Sequence, residues 1–203
     1  MRVADYVIKF LEKKGIKTVF TVSGGGSIFL CDALYKAKKL KYIACHHEQA
    51  VAYAAEGFAR IRNKPGAAVV TTGPGGTNAA SGVACCWIDS VPTIFISGQV
   101  FLNQTIGVSG KRQIGVLEFD IVSMVKSSTK YAVIVKRPED IKYHLEKAYY
   151  LCSSGRPGPV WIDIPANIQN AKIDEKKLKG FKEIKKNKNT KDLDKKIKIV
   201  AEA

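Results

Sequence analysis

The sequence predicts an α/β fold in which about six parallel strands form one sheet with helices on both faces, a three-layer αβα arrangement. Helix-like periods of apolar residues alternate along the chain with short runs rich in β-branched and aromatic residues. Each run is almost continuously apolar, as expected for a strand that is covered on both sides. With 203 residues, of which 46% are hydrophobic, the chain is long enough to bury such a core.

The first half of the chain begins with a helix predicted over residues 3–14, because Val3, Val7 and Leu11 share one helical face and Gly15 follows as a stop. The elements that follow are a strand over 17–22, a glycine turn over 23–27, a helix over 28–37, a strand over 41–45 and a helix over 46–62. Small residues in this last helix permit close approach on several sides, so we expect it to be buried.

The second half repeats the alternation. Its predicted elements are a strand over 67–72, a turn over 73–76, a helix over 77–90, a strand over 91–98, an irregular stretch over 99–118, a short helix over 118–126, a strand over 131–135, a helix over 138–153 and a strand over 160–165. Residues 1–168 are therefore assigned to one domain. Residues 169–203 are assigned to a Lys-rich linker and the start of a truncated second domain, with a helix over 191–203.

The charge and the cysteines narrow the functional classes. The net charge is +15, but residues 172–203 hold 12 lysines against six acids and no arginine, which is typical of a solvated segment. We therefore expect no nucleic-acid partner, and a polyanion-binding module remains a minor alternative. No apolar run is long enough to span a membrane, and the five cysteines lack CxxC spacing, so a cytoplasmic location without disulfides or metal ligands is expected.

Three chemically rich segments follow predicted strands: SGGGS at 23–27, HHEQ at 46–49 and GPGG at 73–76. In a parallel sheet the carboxyl ends of the strands share one edge, where ligands gather, so these segments are expected to lie together. The glycine turn lacks the dinucleotide-binding fingerprint, since its third glycine position is Phe29. A tight structural turn is the favoured interpretation of that segment on the residues alone.

Glu48 is the strongest candidate for acid–base chemistry, because it begins an Ala-rich helix directly after a strand. Apolar surroundings favour the neutral carboxyl, whereas the helix N-terminus favours the anion, and the sequence leaves this balance open. An ordinary first-turn acid is the alternative. His46 and His47 are adjacent and point in different directions, so they are expected to be surface or packing residues.

Two long segments resemble one enzyme family. HHEQAVAYAAEGFARIRNKPGAAVVTTGPGGTNAASGVACCWIDSVPTIFISGQV and SGRPGPVWIDIP are similar to the N-terminal pyrimidine-binding domain of thiamine-diphosphate enzymes of the acetolactate synthase group. The resemblance covers residues 3–168. It implies a decarboxylase and carboligase that acts on a 2-oxo acid, with Glu48 hydrogen-bonding the aminopyrimidine ring of the cofactor and promoting its activation.

The resemblance also implies further site residues, because the motifs match position by position. The turn of the family's YPGG motif corresponds to Val22, Ser23, Gly24 and Gly25, and the family's GPGxTN and TGQV segments correspond to Gly73 through Asn78 and to Gln99. These residues are expected near thiamine diphosphate or at a subunit contact. The resemblance implies a homodimer or homotetramer, with Mg²⁺ bound by a domain absent from this chain, and a fragment that is inactive alone. The sequence offers no support for FAD.

One segment departs from acetolactate synthases. Their AFQE segment corresponds to GVLE at 115–118 in this sequence, so Val116 and Leu117 stand at the Phe and Gln positions. The resemblance therefore does not imply that this chain forms a pocket for pyruvate. Residues 111–135 look more like synthase homologues linked to polysaccharide biosynthesis, whose substrates are larger or sugar-linked. A stand-alone subunit that pairs with a separate diphosphate-binding subunit is the alternative organisation.

Overall fold

The computed structural model describes residues 1–107, 109–183 and 190–202, so residues 184–189 of the predicted linker lie outside the described residues. The strands are β1 (Thr18–Thr21), β2 (Lys41–Ala44), β3 (Gly66–Val70), β4 (Thr93–Gln99), β5 (Tyr131–Ile134) and β6 (Val160–Pro165). The helices are α1 (Val3–Lys13), α2 (Ile28–Lys36), α3 (Glu48–Arg62), α4 (Pro74–Asn78), α5 (Ala80–Ile88), α6 (Ile121–Val125), α7 (Ile141–Ser153), α8 (Ala166–Asn170) and α9 (Thr190–Ala201).

The six strands form one parallel sheet in the order β2-β1-β3-β4-β6-β5, which confirms the predicted fold class. At its centre Ile96 of β4 pairs with Val69 of β3 on one side and with Ile162 of β6 on the other. The chain runs from β1 outward to β2 and then returns to β3 on the opposite side of β1. This reversal opens the edge of the sheet at the carboxyl ends of β1 and β3.

Alternate residues of the central strands fill two separate cores. Ile94 and Ile96 of β4 face one cluster, which also contains residues of α1, α2 and α7. Phe95 of β4 and Trp161 of β6 face the other, which contains residues of α3, α5 and α6, and their rings stack with centroids 5.3 Å apart. Because both faces of these strands are buried, the nearly continuous apolar runs in the sequence are explained.

Most predicted boundaries shift by one to three residues, and two of the differences bear on the site. The helix predicted over 46–62 begins at Glu48, because His47 is extended and serves as its N-cap. The turn predicted over 73–76 is largely helical, since Gly73 makes the turn and Pro74 starts α4, which is followed by α5. Proline suits the first position of a helix because its fixed φ is already helical and no N–H is needed there.

The expected burial of α3 is only partly found. Its inner face is buried against the sheet and α5, whereas Tyr53 and Ile61 on its outer side are exposed. Every residue of the neighbouring strand β2 is also exposed, including Tyr42 and Ile43. The small residues of α3 therefore allow close packing on one side, and the edge position of β2 leaves its own side chains exposed.

Residues 169–181 pack against the domain, although the sequence predicts the start of a linker there. Gln169 is buried, and its Nε2 donates to the carbonyl oxygens of Gly26 at 2.6 Å and Ile164 at 2.7 Å. Leu178 joins the first core, and Phe181 makes an edge contact with Tyr143. Helix α9 agrees with the predicted helix over 191–203 for its described part, while the boundary at residue 168 stays a prediction.

No helix within the described ranges is long and apolar enough to cross a bilayer.

A carboxyl group is buried between the central strands. Asp163 of β6 is 1% exposed, and its Oδ1 accepts the hydroxyl of Ser97 at 2.6 Å. Its Oδ2 accepts Nε2 of Gln99 at 3.1 Å, while Trp161 donates Nε1–H to Oγ of Ser97 at 2.8 Å. Burial raises the pKa of Asp163 to about 7, and the hydrogen bonds from Ser97 and Gln99 only partly oppose this shift.

We predict that Asp163→Asn flattens the pH dependence of stability. The unfolded carboxyl has a pKa of 3.8 and the folded one of about 7, so ionisation of Asp163 opposes folding increasingly as pH rises across that range. The wild-type free energy of unfolding should therefore fall by up to about 4 kcal/mol more than that of the variant, at about 1.4 kcal/mol per pKa unit. Urea unfolding near pH 4 and pH 7.5 measures this, and equal slopes for both proteins would contradict it.

Candidate functional site

The segments after β1 and β3 meet at the carboxyl edge of the sheet, as expected for residues that follow neighbouring parallel strands. A Cβ atom added to Gly24 would lie 2.5 Å from Oγ1 of Thr71, so only the bare backbone of the first turn fits against the second segment. Glu48, at the start of α3, lies at the same edge beyond β2. The three chemically rich segments of the sequence are thus brought to one place.

Glu48 is 8% exposed, and its carboxylate is held on one side only. Nδ2 of Asn78 donates to its Oε2 at 2.9 Å, whereas Oε1 has no hydrogen-bond partner within the described part of the chain. The helix does not need this carboxylate as a cap, because Nδ1 of His47 accepts the backbone N–H of Gln49 at 3.1 Å. One oxygen is therefore oriented by the protein, and the other remains free to exchange a proton with a ligand.

The backbone of α4 comes close to Glu48 because Gly75 carries no side chain. A Cβ at this position would lie 3.1 Å from Oε1 of Glu48 and 2.5 Å from Cγ2 of Thr71. The preceding Gly73 has a φ of +58°, which glycine adopts without strain. The loop of residues 73–78, which comprises the turn at Gly73 and the short helix α4, therefore carries Asn78 to Glu48 and places bare backbone beside the free oxygen.

A second segment, residues 115–119, packs onto this loop. The carbonyl oxygen of Leu117 approaches Gly73 so closely that a Cβ there would lie 2.0 Å from it, and Leu117 itself has a φ of +58°. The side chains of Val116 and Leu117, the positions of the departure from AFQE, are exposed. Apolar groups are thus presented next to the loop that carries Asn78.

The buried side-chain oxygens that lack a hydrogen-bond partner are all found at this edge in the part of the chain that the structure describes. They belong to Thr21 at the end of β1, Thr71 just after β3, and Glu118, whose Oε2 is unpaired while its Oε1 accepts the N–H of Ile106 at 3.0 Å. Each such group costs about 1–3 kcal/mol. Because all three lie at this edge, the edge is less stable than it would be if every polar group there were hydrogen-bonded, which is typical of a binding site.

The structure brings most of the sequence-predicted site residues to this edge. Glu48 and Asn78 are hydrogen-bonded, Gly73 makes the turn that leads to Asn78, and Gly24 of the turn formed by residues 22–25 packs against Thr71. Gln99 is different, because its amide is buried and makes all of its hydrogen bonds within the protein. His46 and His47 are exposed.

Sequence reasoning missed Thr71, Glu118 and Asp163. Thr71 carried a usable signal, since it lies two residues before the GPGG segment, whereas nothing in the sequence indicated that the carboxyl groups of Glu118 and Asp163 would be buried.

Comparison with known proteins matches the chain to one family. A family model described as the N-terminal TPP-binding domain of thiamine pyrophosphate enzymes matches residues 1–124. The chain is 41% identical over 169 residues to the chloroplastic acetolactate synthase of Arabidopsis thaliana, covering 82% of this chain and 24% of that protein. It is 40% identical over 167 residues to the acetolactate synthase large subunit of Haemophilus influenzae, covering 82% and 28%. The chain spans about a quarter of the length of these relatives.

We predict that Gly75→Ala disturbs the site. The added methyl group would overlap Cγ2 of Thr71 and crowd Glu48, so we expect a loss of about 1–3 kcal/mol in the free energy of unfolding. The matched control is Gly57→Ala in α3, where a Cβ meets no atom within 4 Å and the better helix propensity should stabilise by about 0.5–1 kcal/mol. Chemical denaturation measures both, and equal effects would show that the contact at Gly75 is unimportant.

Proposed function

Because the chain belongs to the family of N-terminal TPP-binding domains of thiamine pyrophosphate enzymes, we propose that it forms the pyrimidine-binding part of the active site in an acetolactate synthase-like enzyme. The intact enzyme would decarboxylate a 2-oxo acid and join the product to a second carbonyl compound. The observation that carries the proposal is the carboxylate of Glu48, which is shielded from water and has one oriented and one free oxygen.

The residues present fit an aminopyrimidine ring. A flat ring must reach the carboxylate without meeting a side chain, and Gly75 places bare backbone beside Oε1, where a Cβ would lie 3.1 Å away. A ring nitrogen needs a partner that can accept or return a proton, and Oε1 of Glu48 has none within the described residues. The turn of Val22, Ser23, Gly24 and Gly25 packs against Thr71 at the same edge of the sheet.

Thiamine diphosphate, when bound, supplies the electron sink that stabilises the carbanion left after a 2-oxo acid loses carbon dioxide. Glu48 would hold a proton at Oε1 in a hydrogen bond to the ring and return it during turnover. Asn78 keeps the carboxylate in one orientation by donating to Oε2, and the segment carrying Val116 and Leu117 offers an apolar wall. The exposed apolar side chains of this wall suit a substrate group that is itself apolar.

The remaining parts of such an enzyme lie outside this chain. We propose that a diphosphate-binding domain holds Mg²⁺, and that two copies associate as a homodimer or higher oligomer. The exposed apolar side chains of Ile43 at the edge strand β2 and of Tyr53 on α3 support association through this part of the chain, because uncovered apolar surface favours association. The free cysteines of the chain support a reducing, cytoplasmic location.

We predict that Glu48→Gln in the full-length holoenzyme slows proton exchange at the thiazolium carbon of bound thiamine diphosphate by about 10²–10⁴-fold, because glutamine cannot accept the proton. Exchange into deuterium oxide, followed by proton NMR after acid quench, measures the rate.

The control is Glu56→Gln, which removes a carboxylate on the same helix that pairs with Arg60 instead of facing the site. It should leave the exchange rate unchanged. Wild-type exchange in the Glu48 variant, with cofactor bound, would overturn the proposed role.

A further inference from the structure

Gln99, the last residue of β4, is a polar side chain that the proposed proton transfer does not use. It is 2% exposed, and its Nε2 donates to the carbonyl oxygen of Phe119 at 3.0 Å and to Oδ2 of Asp163 at 3.1 Å. Its Oε1 accepts the backbone N–H of Val100 at 3.0 Å and the hydroxyl of Thr72. A glutamine amide has two donors and two good acceptor positions, so every one is taken within the chain.

The orientation of this amide follows from its partners. The carbonyl of Phe119 can only accept and the N–H of Val100 can only donate, so the nitrogen must face Phe119 and the oxygen must face Val100. The amide cannot turn to serve a ligand without breaking two bonds to the backbone. Its contacts therefore point to a role within the protein.

Two hydrogen bonds of Gln99, those with Thr72 and Phe119, connect the two segments that shape the candidate site. Thr72 directly precedes the loop of residues 73–78, whose Asn78 donates to Glu48. Phe119 ends the segment of residues 115–119, whose Leu117 carbonyl lies against Gly73. The loop and the segment thus touch at Gly73 and Leu117, and the same amide ties them through Thr72 and Phe119.

The segment needs such a tie, because its own conformation is unfavourable. Leu117 lies in the left-handed region, which is unfavourable for a residue other than glycine and persists only where the surroundings enforce it. Glu118 beside it has a buried oxygen without a partner. The amide of Gln99 holds Phe119, two residues after Leu117, and so supplies part of that enforcement.

We propose that Gln99 is a positioning residue, whose amide fixes the loop of residues 73–78 and the segment of residues 115–119 relative to each other and thereby sets Asn78 against Glu48. The catalytic part of this inference rests on the proposed function, whereas the coupling of the two segments does not. Asp163 accepts from the same amide nitrogen, and Ser97 donates to Asp163 while accepting from Trp161.

The coupling is tested by amide hydrogen exchange on this chain. The reporters are the N–H groups of Gly75 and Thr77 in the loop and of Glu118 and Ile121 at the segment, which all donate to backbone carbonyls. Gln99→Met removes both ties, so exchange should rise about five- to tenfold at both sets of reporters. Thr72→Val removes only the tie to the loop, so exchange should rise mainly at Gly75 and Thr77.

The control is Thr93→Val, which removes a buried hydroxyl from the other end of β4, where it accepts from the thiol of Cys86. It should leave all four reporters unchanged. The coupling is refuted if Gln99→Met affects only one set, or if it raises exchange evenly through the domain. Should that variant fail to fold, Thr72→Val still decides, because unchanged exchange in the loop would also refute the coupling.

The catalytic part is tested in the full-length holoenzyme by combining Gln99→Met with Asn78→Ala. If Gln99 acts through Asn78, each single variant slows proton exchange at the cofactor by about tenfold or more, and the double variant is little slower than Asn78→Ala. Independent, multiplicative effects would overturn this route. Failure of the proposed function itself is distinguishable, because it would leave proton exchange insensitive to Glu48→Gln while the amide exchange results stand.

Discussion

The hydrogen bond from Asn78 to Glu48 is the contact on which the candidate site depends, because it orients one carboxylate oxygen and leaves the other free. The sheet order makes this contact possible. Glu48 follows β2 and Asn78 follows β3, with β1 between them, so both reach the same edge on either side of the glycine turn after β1. Small residues at that edge keep space beside the carboxylate, and the chain tolerates unpaired oxygens there.

The fold was predictable because strands buried on both faces leave a strong pattern. The runs that contain Ile94, Phe95 and Ile96 are apolar throughout, and helical periods separate them, which is enough to indicate a parallel sheet with helices on both sides. The pattern does not indicate which strands and helices lie next to each other in the fold. The sequence therefore did not reveal that β2 is an exposed edge, that α3 is covered on one side only, or that residues 169–181 return to the domain.

The site was predictable where a short motif sets the local geometry. Glu48 begins a helix after a strand, and the glycines near Asn78 indicate a loop that approaches a partner closely. Gln99 could be placed at the edge from its position after a strand, but whether its amide faces a ligand or the interior depends on residues distant in sequence. Asp163 is the clearest miss, because it is buried beside Ser97 and Gln99 of β4, which lie far from it in sequence.

The most direct test of the central claim is a crystal structure of the full-length protein with thiamine diphosphate and Mg²⁺. The account predicts that Oε1 of Glu48 lies within hydrogen-bonding distance of a nitrogen of the pyrimidine ring, while Asn78 still holds Oε2. A ring bound elsewhere, or a Glu48 carboxylate that faces solvent beside the bound cofactor, would contradict it.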